Sequence, residues 1–403
     1  MNKILIVSPH FYPNDFKCND VAFELAKQGH KVTVLTDIPN YPHGKFFKGY
    51  GYFSKRRETI NGVMVIRTGV IPRGNGSGKM LALNYVSFLF TAFFRALWMG
   101  FFRRYDTIIV HQLGPVTVGI PAVIIKKMQR KANLLFWVLD LWPESLQVAG
   151  GINNKRILGA FEWVAKLCYR NSDKILISSK GFKKSICEKG DFVDKIVYFP
   201  NWAEESLTGN ADYVLPELPS GFKVMFAGNI GEAQDFDHTM EAAKILKERG
   251  EKDVHFILVG DGRKRTWVEK YIAENKLQDI VHWVGRHPME SMGKFFASAD
   301  VLYFALKDCV IFNLTCPAKL QAYMSVGKPV LAMINGDGAE IVEEAKCGLA
   351  VPAGASEALA DAICKMAAMS TAELEEMGMN GKMYCEENFT LEKNMKVLDE
   401  QMN

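Results

Sequence analysis

The sequence has no Cys-x-x-Cys pair: its 8 cysteines stand apart along 403 residues, so neither a zinc ribbon nor a disulfide framework is indicated. A reducing cytosol is the expected compartment. His, Asp, Glu and Cys nowhere fall at metal-ligand spacing, and no metal or other cofactor is expected. No secretory leader is evident, because the short apolar run at 3–7 turns at once at Ser8-Pro9. A formal net charge of +4 is too small to argue for a nucleic-acid partner. The loop after the first apolar run reads Ser8-Pro-His-Phe-Tyr-Pro13 rather than Gly-x-Gly-x-x-Gly, which speaks against a nicotinamide-dependent dehydrogenase.

What is present is a folded composition, 48% hydrophobic and 23% charged, on a chain long enough for two domains. Continuous apolar runs of strand length recur between helical stretches at 3–7, 31–35, 107–110, 134–138, 174–178 and 196–199. Such runs have both faces buried, as in a parallel sheet covered by helices. A polar, Pro-containing stretch from 203 to 221 interrupts the rhythm, which restarts at 223–227, 254–259, 280–284, 301–304 and 329–332. The expected fold is α/β with two Rossmann-like, doubly wound parallel-sheet domains, 1–202 and 203–385, facing a shared cleft. A C-terminal helix at about 386–403 is expected to pack back on the first.

Ligands of open parallel sheets sit beyond the carboxyl ends of the strands, so the loops there carry the candidate chemistry. After the run ending at Ala227 comes Gly228-Asn229-Ile-Gly231, and after Val259 comes Gly260-Asp-Gly-Arg263; glycine lets backbone N–H groups approach a diphosphate. An ordinary tight turn explains the same glycines about as well. Lys319, in Cys316-Pro317-Ala-Lys319, opens a helix where a cation would neutralise phosphate, although a lone lysine is more often solvated. After Val138 comes Asp140-Leu-Trp142-Pro-Glu144. Its carboxylates suit sugar hydroxyls or acid–base work, and its indole suits a sugar face, with a helix-capping turn as the alternative. His10, Asp15, Asn19 and Asp20 lie in or just after the loop following the first strand, where an acceptor is expected.

Between 81 and 102 the chain is apolar and aromatic with Arg95 the one charge, long enough to span a bilayer. Spanning would put the run at 107–110 across the membrane from that at 31–35, which one sheet does not allow. With Lys45, Lys48, Lys55, Arg56, Arg57, Arg67, Arg73, Lys79, Arg103 and Arg104 nearby, residues 81–104 are expected to touch an anionic inner leaflet peripherally.

Taken together, His10-Phe-Tyr-Pro13, Gly29-His-Lys-Val-Thr-Val34, Ile38-Pro-Asn40-Tyr41-Pro42, Asp140-Leu-Trp-Pro-Glu144, Phe199-Pro-Asn-Trp202, the two glycine loops, Pro317-Ala-Lys319 and Gly327-Lys-Pro329 resemble the retaining glycosyltransferases of family four. The resemblance covers essentially the whole chain. It implies the GT-B fold, a metal-independent enzyme, and catalytic roles for Asp140, Glu144 and His10. With the reading of the loops, donor contacts are expected at Gly228, Asn229, Gly231, Gly260, Arg263, Arg286, Pro317 and Lys319, and acceptor contacts at Asp15, Asn19, Asp20, Asn40, Tyr41 and Trp142.

Within that family the chain is similar to bacterial polysaccharide enzymes of the N-acetyl-L-fucosamine transferase kind. That likeness implies a UDP-sugar donor, an N-acetylated amino- or deoxy-sugar, and an undecaprenyl-diphosphate-linked acceptor in capsule or other surface-polysaccharide assembly. Two departures fall on donor residues. Leu314 and Ala322 stand where many members carry glutamates, and Asn229 and Gln234 where many carry Arg and Lys. Lys319, Arg263 or Arg286 is expected to supply the missing charge. A UDP-sugar 2-epimerase of the same fold, or a non-catalytic sugar-nucleotide or lipid-binding module, is the alternative.

Overall fold

The computed structural model describes residues 1–148, 150–203 and 213–402. The chain forms two compact units, Met1–Pro200 with Asn394–Asn403, and Asn201–Lys393. Nearly half of the expected connection at 203–221 lies outside the described residues, since 204–212 are not among them. The helical tail is divided: Thr371–Asn388 belongs to the second unit, and the return to the first begins at Asn394, within the helix Leu391–Met402.

The first unit is built on eight strands: β1 (Lys3–Val7), β2 (Lys31–Asp37), β3 (Arg57–Ile60), β4 (Val63–Thr68), β5 (Thr107–Gln112), β6 (Asn133–Val138), β7 (Lys174–Ile177) and β8 (Ile196–Tyr198), in the order β3-β4-β2-β1-β5-β6-β7-β8. All neighbours are parallel except the edge pair β3–β4. β1 lies at the reversal of strand order, paired on one side with β2 (Val7 beside Leu35) and on the other with β5 (Val7 beside Val110). Its Ile4 to Val7 are all buried, as a strand covered on both faces requires.

The helix α1 (Lys17–Lys27) follows β1, and the 25-residue α2 (Gly78–Phe102) connects β4 to β5. α2 buries Asn84, Phe88, Ala92, Ala96 and Met99, a helical spacing of three to four residues. Its Gly100 has Met128 directly against it, so close that an added Cβ would lie 2.5 Å from the sulfur. Its other face is exposed yet equally apolar: Val86, Phe90, Phe94, Trp98, Phe101 and Phe102 all meet solvent. By length and hydropathy α2 passes as a membrane span. Because β1 joins β2 and β5 in one sheet, it cannot cross a bilayer while that sheet exists.

The second unit has six parallel strands, β9 (Phe222–Ala227), β10 (Val254–Val259), β11 (Val281–Gly285), β12 (Val301–Ala305), β13 (Val330–Met333) and β14 (Gly348–Val351), in the order β11-β10-β9-β12-β13-β14. The strand order reverses at β9, whose carboxyl end is therefore the expected ligand position. Phe226, Phe236, Met240, Phe256 and Tyr303 pack the core beneath it.

Candidate functional site

In the second unit the two glycine loops are stacked backbone on backbone. Gly228 N–H donates to Val259 O at 2.9 Å, Ile230 N–H to Asp261 O at 2.9 Å, and Gly260 N–H to Gly285 O at 2.7 Å. An added Cβ on Gly260 would stand 1.9 Å from Gly228 O, and its φ of +139° already disfavours any side chain. The glycines are thus required by the approach of two strand ends. Gly260→Ala is expected to cost about 4 kcal/mol of stability, read as a lowered urea midpoint of unfolding. An unchanged midpoint would refute the close packing.

Lys319 lies over this loop. Its Nζ donates to Gln234 Oε1 at 2.6 Å and sits 3.6 Å from the centre of the Phe226 ring. A Cβ on Gly228 would meet Lys319 Cε at 2.9 Å. Pro317, buried at the N-terminus of Ala318–Ser325, starts the helix that delivers the lysine. Burial pushes Lys319 down to about 7. The amine thus reaches Gln234, one of the positions at which the sequence departs from the pattern it resembles. Asn229 is exposed beside it and Gly231 is buried. Arg263 and Arg286 are exposed on the loops after β10 and β11.

In the first unit the loops at the carboxyl ends of β1, β2 and β4, together with α2, converge on Arg73, which the sequence offered only as one of many basic residues; the loops after β5 and β6 come up to Tyr85 beside it. Arg73 Nη2 donates to His10 Nε2 at 2.9 Å and to Tyr85 Oη at 3.3 Å, and its guanidinium lies over the Tyr41 and Tyr85 rings at 5.1 and 5.3 Å. Its Nε finds no hydrogen bond among the described residues. Arginine only donates, so His10 Nε2 must accept and the imidazole proton sits on Nδ1. That nitrogen is 3.9 Å from Asp37 Oδ2. Burial, then the Arg73 charge, lowers His10 to about 3. His10 is thereby a neutral, occupied ring stacked on Phe16 and Tyr41; it holds Arg73 and is not available as the catalyst expected.

Asp140, just beyond β6, accepts the Gly114 N–H at 2.7 Å. Burial raises its carboxyl pKa and that hydrogen bond opposes the rise. Burial raises the pKa of Tyr85, the Arg73 charge beside it opposes the rise, and the Asp140 carboxylate adds to it. Arg73, Tyr85, Tyr41 and Asp140 together can hold an anionic or hydroxylated ligand and orient its oxygen.

Several expected residues are otherwise engaged. Asn40 is fully buried: its amide donates to Asp37 Oδ2 (3.1 Å) and Ile38 O (2.9 Å), and its oxygen accepts from Arg73 N–H (3.2 Å) and Asn84 Nδ2 (3.3 Å). It ties the loops together and has nothing left for an acceptor. Asn19 is buried and donates to Asn14 O. Trp142 is buried against Phe161, which leaves no indole face for a sugar. Asp15 is exposed, and Asp20 half-buried on α1.

Glu144 accepts from Ser185 Oγ at 2.7 Å and pairs with Lys189, whose side chain is 6% exposed. This carboxylate fastens the helix Phe182–Glu188 rather than serving as a free acid. Glu144→Gln is expected to lower stability by about 3 kcal/mol by stranding Lys189, with kcat of the folded fraction unchanged. The Glu144→Leu, Lys189→Met double variant should recover most of the loss in thermal melting. Failure to recover would return Glu144 to the catalytic candidates.

Two family models match the chain in series: residues 18–202 match the glycosyl transferase 4-like domain and residues 221–369 match glycosyl transferases group 1. The chain is a glycosyltransferase. The enzyme is 25% identical over 331 residues, 75% of each chain, to the WcaI glycosyl transferase of Escherichia coli K12, named for colanic acid biosynthesis. Among solved structures it resembles the sucrose-phosphate synthase of Thermosynechococcus elongatus (TM-score 0.74, 18% identity, 100% and 99% of the two chains covered). It also resembles Anabaena HepE, solved in complex with UDP (TM-score 0.68, 15% identity, 99% of each chain covered). The fold of the glycosyltransferase is GT-B.

Proposed function

We propose that the enzyme transfers a sugar from a UDP-sugar to an undecaprenyl-diphosphate-linked saccharide, with retention at the anomeric carbon, during assembly of a surface polysaccharide such as capsule. The carrying observation is that one helix serves two purposes. α2 contributes Tyr85 and Asn84 to the cluster around Arg73 and Asn40, and the same helix turns an apolar face to the outside. At about 1.5 Å per residue α2 is roughly 37 Å long, and each exposed aromatic that enters a leaflet contributes about 2 kcal/mol. An acceptor whose sugar is tethered to a membrane would be met by this surface, with Arg73 available to its diphosphate.

The donor is read as a UDP-sugar, an N-acetylated amino- or deoxy-sugar in keeping with the polysaccharide subgroup. HepE binding UDP and WcaI being named for colanic acid biosynthesis agree with it. The acceptor hydroxyl attacks the anomeric carbon on the face the UDP leaves, and the departing diphosphate takes the hydroxyl proton. Lys319 stabilises the charge that develops on that diphosphate. Asp140 orients the attacking oxygen. No metal is needed in this scheme, and the protein works on the cytoplasmic face of the membrane without crossing it.

The test compares a polyprenyl-diphosphate saccharide with the same saccharide free in solution, the product's anomeric configuration being read by NMR. Transfer to the lipid-linked form with the donor's configuration kept is expected. Equal transfer to both forms, or inversion, would overturn the reading.

A further inference from the structure

At the amino ends of the strands of the first sheet, the end opposite to Arg73 and Asp140, is a cavity of about 610 Å³. It is formed where β1 and β2 begin and where α2 ends. Four cations line it: Lys3 and Lys31, the first residues of their strands, and Arg103 and Arg104, which follow α2. No carboxylate is among its lining residues. The neighbouring Asp106 is held by the Lys3 backbone N–H at 2.7 Å.

Two further observations point to a ligand. Tyr105 lines the cavity at 7% exposure, and its hydroxyl lies beside Arg103 and Thr33, so a polar group in this wall of the cavity faces a cation there. Phe101 and Phe102, 69% and 72% exposed, also line the cavity and continue the bare apolar face of α2. The last carbonyls of α2 do not spoil the site for an anion: Gly100 O and Arg103 O accept from Gln129 at 3.1 and 2.8 Å, and from Arg104 at 3.1 Å each.

We propose that this cavity receives the phosphodiester headgroup of an anionic phospholipid, pinning the foot of α2 to the leaflet. The cations answer the phosphate charge, Tyr105 donates to a phosphate oxygen, and the acyl chains leave along Phe101 and Phe102. A soluble phosphate would satisfy the cations but give the bare aromatics no role. The inference rests on the peripheral membrane contact proposed above. With α2 held at its foot, its other end, which carries Tyr85, is kept level with lipid-linked acceptors.

The full-length protein is sedimented with vesicles of phosphatidylcholine, with and without phosphatidylglycerol. Lys31→Gln combined with Arg104→Gln should weaken binding to anionic vesicles about 30-fold, at about 1 kcal/mol per cation. Lys183→Gln with Lys184→Gln, an equal loss of exposed charge outside both the cavity and the basic stretch around α2, should weaken it far less. Tyr105→Phe removes no charge, and about a fivefold loss is expected from its missing hydrogen bond. Melting curves confirm that each variant is folded.

If wild type fails to bind anionic vesicles, the membrane reading falls and this inference with it. If wild type binds but Tyr105→Phe is indistinguishable from it and the cavity pair from the control pair, the headgroup site alone is overturned. Saturable binding of inorganic phosphate by calorimetry, in competition with vesicles, would overturn the lipid as its source.

Discussion

Lys319→Ala is expected to lower kcat by about 100- to 1000-fold, the loss typical when a group aimed at developing charge is removed, while KM for the donor changes much less. The expectation follows from position: Nζ bonds Gln234 and lies over Phe226 at the carboxyl end of β9, beside Gly228. Burial holds its pKa near about 7 in the free enzyme, which fixes the sign of a pH effect. Below that value the amine is charged and receives the diphosphate well. Above it a proton must be taken up on binding, so UDP affinity falls with rising pH, by at most about tenfold per unit. In Lys319→Ala the same titration should be flat over that range. Calorimetric UDP binding as a function of pH reads both, and a slope that survives the substitution would assign it to another group.

Asp140→Asn is expected to reduce kcat by about 100-fold or more and to leave the melting temperature unchanged. The amide oxygen can still accept the Gly114 N–H, so only the charge is lost. Because burial raises this carboxyl, wild-type kcat should decline on the acid side at a pH above the usual carboxylate range. The loss appears as pH falls through the raised pKa, since the ionised form does the work. The variant should lack that limb. A variant as active as wild type would remove Asp140 from the reaction.

The parallel sheets were legible because strands covered on both faces are continuous apolar runs, and β1 with Ile4 to Val7 is the plain case. β3, β4 and β14 did not stand out. β3 is a half-exposed edge, and β14 is four residues that open on glycine. The glycine loops were readable since backbone contact between Gly228 and Gly260 excludes a side chain. Arg73 was not, because its importance comes from His10, Tyr41 and Tyr85, which are supplied by separate loops and a helix. His10, Asn40 and Trp142 looked available in the sequence, and burial with their partners removed them. For α2 the composition announced an apolar helix, but only packing separates the buried Phe88 from the exposed Phe90.

The most direct measurement incubates purified enzyme with a panel of UDP-sugars, with and without short-chain polyprenyl-diphosphate saccharides, and follows UDP release together with product mass. The account predicts release that depends on the lipid-linked acceptor and a product heavier by one glycosyl unit. UDP and a 2-epimerised free sugar formed without acceptor, or donor binding with no turnover on any acceptor, would contradict it.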